Sequence, residues 1–245
     1  MTKPVYIVLG ASGGIGSSVS RKLAARGASL VLGAPDSDRL TSLAHETGGH
    51  AKVIDATRLE DVEAIVAHAV AEFGRLDGIV NCVGSILLKP AHLTSLDEYR
   101  QTLSLNLDSA FFAVKSSARA MYKTGGSIVL CSSAVARTGL INHEAIAAAK
   151  AGIVGLAQSA AATYAQRNIR VNCVAPGLVE TQMSEKLTSN EASRKHSEGM
   201  HALGRLGKPE DVAEAIDWLL DSERSGWVTG QVIGVDGGLG TVRPR

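Results

Sequence analysis

Short runs of consecutive apolar residues alternate along this chain with stretches in which apolar positions recur every three or four residues. The run Val5–Leu9 ends in glycines, after which Ile15, Val19 and Leu23 repeat at four-residue intervals, the spacing of one helix face. Runs at residues 30–32, 53–54, 78–82, 127–131, 169–174 and 231–235 predict six further strands. Leu59, Val62, Ile65, Val66, Ala69, Val70 and Phe73 predict an amphipathic helix ahead of the run at 78, and long helical patterns precede those at 127 and 169. Strands that are apolar throughout and separated by helices predict a parallel sheet covered on both faces, a doubly wound α/β domain of Rossmann type in three layers. No repeat or linker interrupts residues 1–245, so one domain is expected. Residues 180–205 depart from the pattern, being polar, rich in Ser, Glu and Lys, and without a strand signature. They follow the C-terminal end of a strand, the edge where open α/β sheets bind ligands, so a substrate lid is favoured over a plain surface insertion.

Composition narrows the function classes. The chain is 45% hydrophobic and only 4% aromatic, which favours close packing of helices on the sheet. A formal net charge of +1 offers no electrostatic attraction for nucleic acid or an anionic membrane. Met1 to Pro4 lead directly into the first strand, and no run approaches a membrane span. Cys82, Cys131 and Cys173 sit in or beside apolar runs and read as buried thiols, which implies a cytoplasmic location. No metal-ligand spacing exists and the seven histidines are scattered, so no metal site is expected.

The chemistry concentrates after the first strand, in Gly10-Ala-Ser12-Gly13-Gly14-Ile15-Gly16, which runs into a helix. Glycines let backbone approach a pyrophosphate, and the helix N-terminus presents free N–H groups to it. The spacing of Gly10, Gly14 and Gly16 resembles that of the short-chain dehydrogenase/reductase family, and the resemblance covers nearly the whole chain. Gly204-Arg-Leu-Gly-Lys-Pro-Glu-Asp-Val and the segments from Thr229 and from Val235 to Gly238 resemble its C-terminal signatures. The likeness implies a nicotinamide cofactor, NAD or NADP, and a small carbonyl or alcohol substrate. By that likeness Asp55 and Ala56 contact the adenine, Asn81, Val83 and Gly84 support the ribose, and Pro176, Gly177, Val179 and Thr181 hold the carboxamide. It also implies a homotetramer, paired through the helices around Asn106 and Lys150 and through the C-terminal strand. The alanine-rich faces 147–151 and 160–162 suit either that pairing or packing on the sheet.

The family's catalytic set is Asn, Ser, Tyr and Lys. Asn106 stands where an asparagine anchors a proton-relay water. Ser133, with Ser132 as a competitor one residue away, stands where a serine bonds the substrate oxygen. Lys150 stands where a lysine grips the ribose. The tyrosine position, four residues before Lys150 and thirteen after Ser133, holds Ile146, which has no proton to give. Tyr6, Tyr99, Tyr122 and Tyr164 lie in segments remote from it. His143 is the substitute the sequence offers. If Asn142 caps the helix, His143 opens it and falls within roughly 20° of Lys150's stripe, about 10.5 Å along the axis. A histidine donates near neutral pH. Glu144 is about 100° off that stripe, and an ordered water is the other source.

The end of the second strand, Gly33-Ala34-Pro35-Asp36, has neither an acid for NAD nor an arginine for NADP at the expected place. Asp36 would favour NAD, Arg39 would serve a 2′-phosphate by folding back, and both cofactors stay open. The resulting expectation is reversible hydride transfer with an atypical proton donor. A cofactor-binding pseudoenzyme is the alternative, and a lyase or isomerase on the same fold is a third reading.

Overall fold

The protein, seen here as a computed structural model, is described over residues 3–242. Seven parallel strands form one sheet: β1 (Val5–Leu9), β2 (Ser29–Ala34), β3 (His50–Val53), β4 (Gly78–Asn81), β5 (Gly126–Cys131), β6 (Ile169–Pro176) and β7 (Val232–Val235). Their order is β3-β2-β1-β4-β5-β6-β7. The chain runs outward from β1 through β2 to β3, then returns to build the other half from β4. That reversal opens a crevice beyond the C-terminal ends of β1 and β4, where doubly wound folds bind ligands.

Alternation along β1 feeds two cores. Val5, Ile7 and Leu9 pack with Val62, Ile65, Val114 and Ile153, from α3 (Leu59–Phe73), α5 (Ser109–Met121) and α6 (Glu144–Tyr164). Tyr6 and Val8 face Val19, Leu23, Leu40 and Ile216, from α1 (Gly14–Ala25), α2 (Ser37–Thr47) and α9 (Pro209–Leu220). Each fully buried aliphatic side chain contributes about 1.5–3 kcal/mol, so this double-sided burial dominates stability. Arg26 donates to Asp217 at 2.5 Å and also pairs with Asp221, tying α1 to α9.

Two expectations need correction, on the third strand and on the absence of a span-like run. The third strand begins at His50, because an edge strand alternates half-buried with exposed residues and so lacks a continuous apolar run. A helical stretch over Glu144–Arg167 is long and apolar enough, by length and composition, to cross a membrane. It is alanine- and glycine-rich, and Ile153, Ala157, Ala160 and Ala161 on α6 pack into the core, while Ala148, Ala151 and Ala162 face outward. Within residues 180–205, which carry no strand as their pattern implied, the chain forms α7 (Glu185–Thr188) and α8 (Glu191–Met200). Asn190 caps α8 by accepting from the Ser193 N–H at 2.8 Å, and Arg194 pairs with Glu180 and Glu198. A backbone bridge between Val179 and Gly207 closes the base of this insertion.

Candidate active site

One cavity of about 1060 Å³ opens at the C-terminal edge of the sheet, under α7 and α8. At one end lie Ser12, Gly13, Gly14, Ile15 and Gly16. Gly10 takes φ +73°, and a Cβ there would stand 2.9 Å from the Cys82 carbonyl carbon. A Cβ on Gly16 would fall 2.2 Å from the Gly10 oxygen, so only glycine permits this tight strand-to-helix turn. Gly13 stands at the N-cap of α1 without a side-chain cap, leaving the first N–H groups to face the cavity. A cradle that Cβ atoms would fill, ending in uncapped amides, fits a dinucleotide pyrophosphate.

The middle of the wall is carried by the turn after β4. Asn81 accepts from the Val83 N–H at 3.0 Å and donates to Ser109 Oγ at 3.1 Å, fixing the chain as it leaves the sheet. Val83, Gly84 and Ser85 follow on the wall. A Cβ on Gly84 would stand 2.8 Å from Asn106 Oδ1 and 3.2 Å from Lys150 Nζ, so glycine is what lets both approach.

Asn106 is not itself on the wall. It is fully buried in a single π-helical turn, 104–108, between α4 (Leu96–Leu103) and α5. Its Oδ1 accepts from the Ser85 N–H at 3.2 Å, and its Nδ2 donates to Ser85 Oγ and the Thr102 carbonyl at 3.0 and 2.9 Å. The side chain of the residue expected to anchor a water thus holds Ser85 in place. Ser85 was missed because nothing in its spacing marks it.

The far end joins Ser133, Lys150, Ile146 and His143 on one surface. Ser132 turns inward, its Oγ donating to the Lys150 carbonyl at 2.8 Å. Ser133 accepts weakly from the Val135 N–H at 3.3 Å and has only a 3.5 Å contact to the Pro176 carbonyl, so its hydroxyl is the freer of the two. Lys150 Nζ donates to the Cys131 carbonyl at 2.9 Å, and burial pushes the ammonium below its ordinary value. Ile146 is 5% exposed and lines the cavity, and none of the four tyrosines does.

His143 does not open α6. It occupies the N-cap position with φ −112° and ψ 13°, Asn142 is left-handed at φ +62°, and the helix starts at Glu144. The stripe geometry that linked His143 to Lys150 therefore does not apply. Its ring nevertheless reaches the wall, with Nδ1 2.6 Å from the Ile141 carbonyl, an arrangement that makes Nδ1 the donor and leaves Nε2 unpaired. Glu144 is exposed and off the wall.

Pro176, Gly177, Val179 and Thr181 continue the wall from the end of β6. The Leu178 N–H donates to Nε2 of buried His201 at 3.1 Å, and His201 Nδ1 lies 2.7 Å from the Ser197 carbonyl, linking this segment to α8. From α8 itself Ala192, His196 and Met200 face inward at four-residue spacing. That spacing was readable in the sequence, but the polar residues around it hid it.

Asp55 and Ala56 are not on the wall. Asp55 Oδ1 is taken by the N–H and Oγ1 of Thr57 at 2.9 and 2.6 Å, which lowers its carboxyl below the usual range. Of the cysteines, Cys131 and Cys173 are buried, and burial pushes Cys173 up to about 12. Cys82 is only half-buried, lines the cavity, and lies 3.8 Å from the Cys131 sulfur.

Residues 10–240 match a family model described as enoyl-(acyl carrier protein) reductase. A 3-oxoacyl-(acyl-carrier-protein) reductase of Thermotoga maritima is 37% identical over 243 residues, covering 96% of this chain and 97% of that protein. A cis-4-hydroxycyclohexanecarboxylate dehydrogenase of Sinomonas cyclohexanicum is also 37% identical, over 97% of each chain. A solved short-chain type dehydrogenase/reductase from Mycobacterium ulcerans superposes with a TM-score of 0.93 at 30% identity, covering 100% of this chain and 92% of its own. With the resemblance, the doubly wound sheet and the matches in agreement, the chain belongs to the short-chain dehydrogenase/reductase family of oxidoreductases.

Proposed function

We propose that the protein is an NADP-preferring reductase of apolar carbonyl compounds, running reversibly toward the secondary alcohol, with His143 in place of the missing tyrosine. The observation that carries this reading is the shared wall of Ser133, Lys150 and His143 beside the glycine cradle. A bound nicotinamide dinucleotide would supply or accept the hydride. Gly14 and Ile15, at the start of α1, would hold its phosphates by backbone N–H groups, and Lys150 would hold the ribose beside Gly84. The hydroxyl of Ser133 would exchange its long contact to the Pro176 carbonyl for the substrate oxygen and offset charge as it develops there. His143, protonated at Nε2, would deliver the proton, and Ile141 would fix its tautomer through Nδ1. Asn106 would act only by positioning Ser85.

Two features narrow the ligands. Ile86, Leu88, Leu140, Met183 and Leu187 line the substrate side, which suits an apolar acyl or alicyclic carbonyl. Residues 180–205 serve as the lid over it. Arg39 reaches the wall from α2, and Ala34 at the end of β2 leaves room where an acid would oppose a 2′-phosphate. Exposed Leu96, Tyr99 and Phe111 on α4 and α5 support the self-association expected of the family.

The deciding experiment follows NADPH and NADH oxidation with β-ketoacyl thioesters, diketones and quinones. Turnover above background, faster with NADPH, is expected. Cofactor binding without turnover on any substrate would instead favour a nucleotide-sensing subunit, the reading that Ile146 on the wall supports.

A further inference from the structure

Away from the cavity, the fold gathers residues that look unrelated in sequence. His50 opens the edge strand β3, and His68 and Glu72 lie one turn apart on α3, which packs behind it. His50 Nδ1 and His68 Nε2 are 3.3 Å apart, and one ligand atom from each of the three side chains lies within 4.8 Å of the others. None of the three lines the cavity.

We propose that His50, His68 and Glu72 form a site for one divalent transition-metal ion, with zinc as its natural occupant, which staples the edge strand to α3. Zinc–nitrogen bonds of about 2.0–2.1 Å in a tetrahedron put neighbouring nitrogens roughly 3.3 Å apart, the separation these two imidazoles already have. Two imidazoles and a carboxylate suit zinc, copper and nickel rather than calcium or magnesium, and three protein ligands leave a fourth position for water. Both histidines are half-buried and Glu72 is exposed, so the site is reachable from solvent without being dissolved in it. His50 also packs its ring against Phe73 at 5.1 Å between centroids, which restrains its swing. The ammonium of Lys52 is close enough to oppose a cation here, while the carboxylate of Glu72 favours one. An ion here would close a loop between residues 18 apart and pin an edge whose backbone is otherwise open to pairing.

The competing account is a plain hydrogen bond between two neutral imidazoles, and the two accounts differ in what zinc does. The test uses the full chain, freed of any affinity tag and of metal by chelation, titrated with zinc sulfate in a calorimeter. One ion per chain is expected, with affinity reduced at least tenfold, about 1.4 kcal/mol, in each of His50→Ala, His68→Ala and Glu72→Gln. At zinc about 100-fold above its Kd, Tm should rise by roughly 5–10 °C in the unaltered protein and stay put in His68→Ala. NADPH binding should be the same in all four proteins, because the site is remote from the cavity. Zinc bound equally by His68→Ala would place it elsewhere, for instance at the Cys82 and Cys131 thiols, and overturn the proposal. So would an unchanged affinity in Glu72→Gln, which keeps both histidines.

Discussion

The glycine end of the cavity and the catalytic end are built by different means. At the glycine end almost everything is backbone: Gly10 and Gly16 are required because a single Cβ would collide with the main chain, and the first amides of α1 carry no side-chain cap. At the catalytic end almost everything is side chain, and each group can change without moving the scaffold. Ile146 does this. It is buried on the wall beside Lys150, which bonds to the Cys131 carbonyl, and Ser133, whose hydroxyl makes only long contacts to the Val135 N–H and the Pro176 carbonyl. The contrast teaches that binding and chemistry can separate in one cavity, since a backbone cradle fails as a unit whereas a proton donor is one replaceable residue.

The sharpest way to break this contrast is to complete the catalytic end. Ile146→Tyr should raise kcat for carbonyl reduction by about 10²-fold, the part of the usual 10²–10⁴-fold worth of general acid–base help that His143 does not already supply, while leaving the Kd for NADPH unchanged. Steady-state rates and a fluorescence titration read the two halves separately. A tyrosine that changes neither would show that Ser133 and Lys150 are not poised around that position.

Next in size is the substitute donor. His143→Gln keeps the polar shape but cannot carry a proton, and kcat should fall about 10²-fold. In the His143→Gln, Ile146→Tyr double variant the loss should vanish, because the tyrosine takes over the role. Equal rates in His143→Gln and the unaltered protein would assign the proton to solvent.

How much of this was legible depends on whether the signal is local. The strands of the sheet interior were readable because both faces are buried, and the glycine loop because its chemistry is contiguous. Edge strand β3 was half lost, since His50 and Lys52 alternate with less polar neighbours. Asn106 was found by position, but its partner Ser85 lies 21 residues away and only the π-helical turn brings them together. His143 was placed one residue inside the helix because nothing in Ile-Asn-His announces that Asn142 adopts a positive φ. The inward face of α8 was masked by the charges that pair Arg194 with Glu180 and Glu198.

Gly16→Ala tests the opposite end. Its Cβ would meet the Gly10 oxygen at 2.2 Å, and relieving that overlap should cost about 1–3 kcal/mol. The loss should fall on cofactor Kd, as a roughly ten- to hundredfold weakening for NADH and NADPH alike, with kcat at saturation little changed. A variant that loses kcat but not affinity would mean the two ends are coupled after all.

The smallest effect expected is at Arg39, and it separates two cofactors rather than two ends. Asp36 caps α2 by accepting from the Arg39 N–H at 3.1 Å, and its other oxygen lies 3.5 Å from Arg39 Nε. The guanidinium extends past this pair to donate to Gln182, so it bridges α2 and the segment after β6, both on the cavity wall. Its side chain is half exposed, and solvent screening limits what one such charge can contribute to an anion. Arg39→Ala should therefore weaken NADPH about tenfold, or roughly 1.4 kcal/mol, and leave NADH within error. Equal losses for both cofactors would assign Arg39 to holding the segment after β6 through Gln182 rather than to reading the 2′-phosphate, and the preference for NADP would then lose the cation that supports it.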